Sequence, residues 1–218
     1  MKGKAILGCK VRSGRAPAVV IAAPETLLDC RMLLLADPED PATFQPYHAG
    51  FGALEEDGAR IAPRLRAIGR ATHRSVKQAV ADWERRGIRI GRATLVVGSL
   101  NTDPHAIRHL HMRAHGLEGH LFRSVLSDAL KEHGIPTTFV QERKLREHLG
   151  AGFANTIKRI KQQLATLSSS AVSPWSTDHR LAVAAALSAL SSRATAKLTR
   201  AFARVRPLNS DTVRRPSS

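Results

Sequence analysis

Short apolar runs broken by turns occupy the first part of the chain, and apolar stripes at helical spacing occupy the rest. Ala5-Ile6-Leu7-Gly8-Cys9-Lys10-Val11 reads as a strand. Arg12 to Pro17 is a turn, punctuated by Gly14 and Pro17. Ala18 to Ala22 is a second strand, rich in β-branched residues. Thr26 to Leu35 fits a third, buried strand, although periodicity alone leaves a helix open there. Three short segments joined by short turns predict an antiparallel meander.

Asp37 to Gly52 carries three prolines and reads as a loop. The stripe Ile61, Leu65, Ile68, Thr72, Val76, Val80, Trp83 then predicts a long helix, with Pro63 in its first turn and Gly87 at its C-terminal end. Thr94 to Gly98 is a fourth strand, and Asn101 to Gly116 reads as a connection rich in His and Arg. Leu117 to His133 predicts a helix stopped by Gly134. Ile135 to Val140 is a fifth strand, which Pro136 confines to an edge or a strand start. Helices over Glu142 to Leu149, Phe153 to Leu167 and Asp178 to Leu190 follow, the last with Thr177 as N-cap. Two units result: a domain over 1–190, and a tail over 191–218 made of a basic helix and a disordered end. The order β-β-β-α-β-α-β-α predicts an α/β fold, a mixed five-stranded sheet with helices on both faces.

Charge sharpens this picture. Lys and Arg number 34 against 18 Asp and Glu, for a net charge of +16. With 43 % hydrophobic residues, the chain is not a disordered polycation. A field of this sign attracts polyanions. Placement adds to the total: from Arg193 onward there are seven Lys or Arg and one acid, Asp211, a net of +6. Arg193, Lys197, Arg200 and Arg204 line one face of the tail helix. Arg66, Arg70, Arg74 and Lys77 line a face of the long helix, and Lys158, Arg159 and Lys161 form another patch. No Arg or Lys is assigned a base edge, so phosphate contacts are expected to lead binding. Aromatic residues are 4 %, which excludes a single-strand binder built on many stacked bases. Trp83 and Trp175 read as core or cap residues. No apolar run reaches the roughly 18 residues of a membrane span. Cys9 and Cys30 both lie in apolar runs and read as reduced packing residues of a cytosolic protein.

Ile6-Leu7-Gly8-Cys9-Lys10-Val11-Arg12-Ser13 resembles the first-strand motif of RuvC-type Holliday-junction resolvases, which carry Ile-Leu-Gly, an apolar residue, an Asp and a Gly-Ser turn. Ser176-Thr177-Asp178-His179-Arg180-Leu181-Ala182 resembles their final helix, and the element order matches from about Ala5 to Leu190. The resemblance implies the ribonuclease H-like fold and a two-metal nuclease site in which three or four carboxylates hold Mg²⁺ or Mn²⁺. Here Lys10 stands at the position of the first acid, and no acid stands at Gly98 or Ser99.

The candidate acids are therefore Asp178, Asp103 and Glu118. Asp178 and Glu118 each have a plainer reading as an acid in the first turn of a helix. An active endonuclease remains as an alternative if Asp29, Asp103 and Asp178 converge, where Asp29 otherwise reads as an outward-facing strand residue. His105, His109, His111, His115 and His120 crowd one stretch with Arg108 and Arg113. A solvated loop, a phosphate-contacting surface (Arg108, His109, His111, Arg113) and a metal site at the i,i+4 His pairs compete there. The leading expectation is a nucleic-acid-binding protein, for DNA or RNA, with a degenerate nuclease site. A basic protein-interaction scaffold is a further alternative, and the chain itself, as a homodimer, is a candidate second partner.

Overall fold

A computed structural model describes residues 4–49, 53–98, 103–147, 153–167 and 175–190. Strand β1 (Ala5–Lys10) is the middle of a five-stranded sheet. On one side it pairs antiparallel with β2 (Arg15–Ala22), which pairs antiparallel with β3 (Thr26–Leu34). On the other side it pairs parallel with β4 (Ile90–Val97), which pairs parallel with β5 (Thr137–Gln141). The order β3-β2-β1-β4-β5 is the mixed sheet of the ribonuclease H-like fold. Parallel strands need crossovers, and two helices supply them. These are α1 (Gly58–Arg85), between β3 and β4, and α2 (Leu110–Glu132), between β4 and β5. Three further helices follow among the described residues: α3 (Glu142–Glu147), α4 (Phe153–Gln162) and α5 (Thr177–Leu190).

Successive β1 side chains alternate between two cores. Leu7, Cys9 and Val11 face α1 and α2, where Ile68, Val76, Trp83, Phe122, Leu126 and Leu130 are buried. Ile6 faces α4 and α5 with Val19, Ile21, Ile157, Ile160 and Val183. Both faces of β1 are covered, and all six of its residues are buried. Helix α5 lies close on this second face because its contact residues are small: Ala182, Ala184, Ala185 and Ala186 are each at most 1 % exposed. Gly8 is required beneath it. A Cβ there would stand 1.9 Å from the Ala182 carbonyl oxygen, which belongs to a helix backbone and cannot swing aside. Arg92 on β4 donates from Nη2 to the Ala189 carbonyl (2.7 Å), satisfying one of the unpaired carbonyls at the C-terminus of α5.

Several expected boundaries move. Helix α1 starts at Gly58, after an Asp57 cap whose carboxylate accepts from the Ala59 N–H at 2.8 Å. Pro63 therefore lies in its second turn, not its first. Gly87 follows the helix with φ +69°, as its role as a stop requires. Thr177 is the first residue of α5, not its cap. The largest shift is α2, which begins at Leu110, so His111, Arg113 and His115 are helical. Its start is silent in the sequence because His109 makes no side-chain cap and two glycines, Gly116 and Gly119, fall inside it. Burial of Ala114, Glu118, Phe122 and Leu126 outweighs that local signal. No helix among the described residues is long and apolar enough to cross a membrane. The tail positions Arg193, Lys197, Arg200 and Arg204 lie outside the described residues.

The Gly8 contact gives a direct test. Gly8→Ala forces α5 off the sheet and is expected to cost about 3 kcal/mol or more by overpacking. The measurement is chemical denaturation monitored by Trp fluorescence. A loss below about 1 kcal/mol would show that α5 does not sit this close.

Candidate functional site

Strands β1, β4 and β5 run parallel and end at one edge of the sheet, where the first turn of α5 meets them. Lys10 is the last residue of β1 and is 2 % exposed. Its position on the α5 face follows from the alternation that puts Cys9 in the opposite core. A buried ammonium needs a counter-charge. Glu142 supplies it, with 2.7 Å between Lys10 Nζ and Glu142 Oε2. Glu142 follows β5 directly and opens α3, so the strand end delivers it to the edge. Arg146, one turn along α3, donates to the other oxygen of Glu142 at 2.7 Å from Nη2 and 3.0 Å from Nε. Burial pushes the Glu142 carboxyl up, but the hydrogen bonds and charges of Lys10 and Arg146 outweigh it and hold the pKa at about 2.

Asp178 sits beside this pair in the first turn of α5. Arg12, just after β1, grips it with two hydrogen bonds, Nη2 to Oδ1 at 2.7 Å and Nε to Oδ2 at 3.0 Å. The Arg12 hydrogen bond holds the Asp178 carboxyl below the ordinary carboxylate range, against the opposing effect of burial. The edge thus gathers three cations, Lys10, Arg12 and Arg146, around two acids, Glu142 and Asp178.

The other candidate acids lie elsewhere. Asp29 is fully buried on the α1 side of the sheet, so its reading as an outward-facing residue is overturned. A bulge at Leu28 turns it inward. There it accepts hydrogen bonds from Arg31, from Trp83 Nε1 at 2.7 Å and from Arg86 Nη1 at 3.1 Å. Arg31 in turn reaches Asp82 on α1 at 2.5 Å and stacks over the Trp83 ring at 5.2 Å. Asp29 and Asp178 face opposite sides of the sheet and do not share an ion. Asp103 caps a short 3-10 turn, Pro104–Ala106, by accepting from the His105 N–H at 2.9 Å. Glu118 is buried in the middle of α2 and hydrogen-bonds His48, which removes it both from the first turn of a helix and from Asp178. The residues at the strand edge do not fit Mg²⁺ or Mn²⁺: an ammonium stands at the first-ligand position and a guanidinium occupies both oxygens of Asp178.

The basic candidates divide by partner. Arg66, Arg70, Arg74 and Lys77 are all exposed on α1 and form no ion pair with a described residue. Lys158 and Lys161 are exposed on α4, whereas Arg159 is spent on Glu25 at 2.7 Å. Arg180, which sequence reasoning passed over, is exposed and shares a cleft with Lys158, Lys161, Trp175 and the first residues of α5. Trp175 stacks on His179 at 5.8 Å with 21° between the rings. Arg108 and His109 are exposed ahead of α2, while Arg113 turns back to donate to the Ile107 carbonyl at 2.8 Å. His111 is half-buried against His48 and His115, so it is not a free phosphate contact. Burial pushes the Glu118 carboxyl up to about 7, against the pull of His115 and of the Tyr47 backbone. Cys9 and Cys30 are free and buried, and burial raises both thiols.

Glu142, Arg12, Arg180 and His48 are the residues that sequence reasoning missed. Glu142 alone left a signal, as an acid directly after a parallel strand of an edge already suspected.

No family model matches the chain, and no curated protein matches its sequence. Among solved structures, the chain is similar to RuvC of T. thermophilus in complex with a Holliday junction substrate. The TM-score is 0.51 at 14 % identity, over 92 % of this chain and 97 % of that one. A second structure of Thermus thermophilus RuvC gives a TM-score of 0.49 at 14 % identity, over 87 % and 95 %. A Ppx/GppA family member of Aquifex aeolicus gives 0.32 at 12 % identity, over 65 % of this chain and 36 % of that one. The likeness is one of fold: the chain has the ribonuclease H-like architecture seen in RuvC.

Two measurements test these ion pairs. An unfolded Glu titrates near 4.5, above the folded value of about 2, so the Glu142 pairing contributes stability that is complete above pH 4.5 and drains as pH falls towards 2. Glu142→Gln should cost about 3 kcal/mol at pH 7 by stranding Lys10, and should flatten the acid limb of Tm against pH in that window. An acid limb identical to wild type would remove Glu142 from the account. Asp29→Ala should cost about 3 kcal/mol, because it leaves the buried Trp83 Nε1 and Arg31 Nε without an acceptor and Arg31 with Asp82 as its one remaining counter-charge among the described residues. A loss under 1 kcal/mol in urea titration would show the cluster to be dispensable.

Proposed function

We propose that this chain is a nucleic-acid-binding protein of ribonuclease H-like fold that holds the phosphate backbone and does not cut it. The observation that carries the reading is the ion-paired strand edge. Where a nuclease of this fold gathers acids around metal, Lys10 and Arg12 neutralise the two acids present. Exchanging metal ligands for cations removes the means of activating a water while leaving a surface that attracts phosphate.

The contact surface proposed runs from that edge into the cleft between α4 and α5. Lys158, Lys161 and Arg180 flank the first turn of α5, whose backbone N–H groups and dipole favour an anion. The exposed stripe Arg66, Arg70, Arg74 and Lys77 lies on the opposite face of the sheet and serves a second stretch of backbone or a non-specific field. The fold neighbour that binds a Holliday junction makes branched DNA the first ligand to try. The same reading goes with a cytosolic protein whose thiols stay reduced.

The test is fluorescence anisotropy with a four-way junction, duplex DNA, single-stranded DNA and duplex RNA at several salt concentrations. Log affinity should fall linearly with log salt, and each phosphate contact removed should lower the slope by about 0.9. The triple variant K158A/K161A/R180A is expected to lose at least two such contacts, and truncation after residue 190 should lower the slope further. Binding without a salt slope would overturn the reading. Cleavage of any of these substrates with Mg²⁺ or Mn²⁺ that Asp178→Asn abolishes would overturn its degenerate-site half.

A further inference from the structure

Away from the strand edge, three histidines from two separate segments crowd together around one buried carboxylate. His48 lies in the segment between β3 and α1, held by a bridge to Leu54 and by the Glu55 N–H donating to the Tyr47 carbonyl at 2.9 Å. His111 and His115 are one turn apart on α2 and present the same face. One ring nitrogen from each of the three lies within 4.8 Å of the other two. The rings crowd together, with centroids 4.5 Å apart for His111 and His115 and 4.8 Å for His48 and His115.

Glu118 sets their orientation. It is fully buried, accepts from His48 Nδ1 at 2.8 Å through Oε1, and lies 3.3 Å from His115 Nδ1 through Oε2. A carboxylate that takes the Nδ1–H of both rings leaves Nε2 on each as a bare lone pair, the arrangement by which second-shell carboxylates prepare histidines for metal. Among the described residues, His48 Nε2 and His111 Nδ1 are buried and have no hydrogen-bond partner. The Nε2 atoms of His111 and His115 stand 3.2 Å apart. Two imidazole nitrogens bound to one tetrahedral Zn²⁺ at about 2.0–2.1 Å stand about 3.4 Å apart. A hydrogen bond between those two rings would satisfy that pair and still strand His48 Nε2. A single cation takes one ring nitrogen from each of the three.

We propose that His48, His111 and His115 form a three-histidine site for a borderline transition metal, Zn²⁺, with Glu118 as its positioning residue. Neutral imidazoles suit Zn²⁺, whereas Mg²⁺ and Ca²⁺ require oxygen ligands that this set does not offer. Three protein ligands leave the fourth tetrahedral position open, and His115, with 41 % of its side chain accessible, connects the cluster to solvent. The site ties His48 to α2 and is independent of the nucleic-acid reading, which uses other residues.

The experiment is Zn²⁺ titration of untagged, full-length protein against a chromophoric chelator, with Co²⁺ as a spectroscopic substitute. One Zn²⁺ per chain is expected, together with the visible ligand-field bands of tetrahedral Co²⁺ and no displacement by excess Mg²⁺. H48A, H111A and H115A should each weaken Zn²⁺ by 100-fold or more, and Glu118→Gln by 10- to 100-fold with altered Co²⁺ bands. His73→Ala, at an exposed histidine paired with Glu132, should leave binding unchanged. Zn²⁺ should raise the Tm of wild type and not that of H115A, whose exposed side chain can be removed without opening the core. Absence of stoichiometric binding to wild type overturns the proposal. So does H115A binding as wild type, or H73A losing as much as H115A.

Discussion

A charged residue at the end of a strand that is sealed on both faces must find its counter-charge inside the protein. β1 is that strand, and Lys10 is that residue. Its six positions are buried between α1 and α2 on one side and α5 on the other, and the close seat of α5 over Gly8 leaves little room for water. The Lys10–Glu142 pair follows from this constraint. It fixes where β5 ends and α3 begins, and it sets the charge of the edge to which α5 delivers Asp178.

The electrostatics of the molecule divide by location. Buried charges are paired locally: Lys10 with Glu142, and Arg31 and Arg86 with Asp29 and Asp82. These pairs are structural devices, and each leaves a costly orphan if one partner is lost. Among the described residues, exposed cations outside any ion pair line α1 and the α4–α5 cleft. These exposed cations set a positive field at the described surface without disturbing the core.

The histidine cluster is a third kind of polar group. Two of its members, His48 and His115, share one buried carboxylate, Glu118, which orients both rings. The long-range contact that completes it joins a loop residue, His48, to a helix that starts some sixty positions later.

The sequence by itself determined the order of elements, the antiparallel meander, the apolar stripe of α1 and the lysine at the head of the site. These are local signals: alternation, helical spacing, and glycines at turns where a positive φ is needed. The fold class followed because three adjacent strands and two alternating ones permit few arrangements. Only the tertiary structure decided which acids meet which bases. Asp29 looked outward in sequence and turned inward at a bulge, where Trp83 and two arginines claim it. Glu142 carried no motif and became the partner of Lys10 because β5 ends beside β1 across β4. His48 joined His111 and His115 because α2 begins earlier than its uncapped start reveals. Pairings of this kind lie in the register of strands and the approach of loops, over separations at which neighbouring residue types exert no pull on one another.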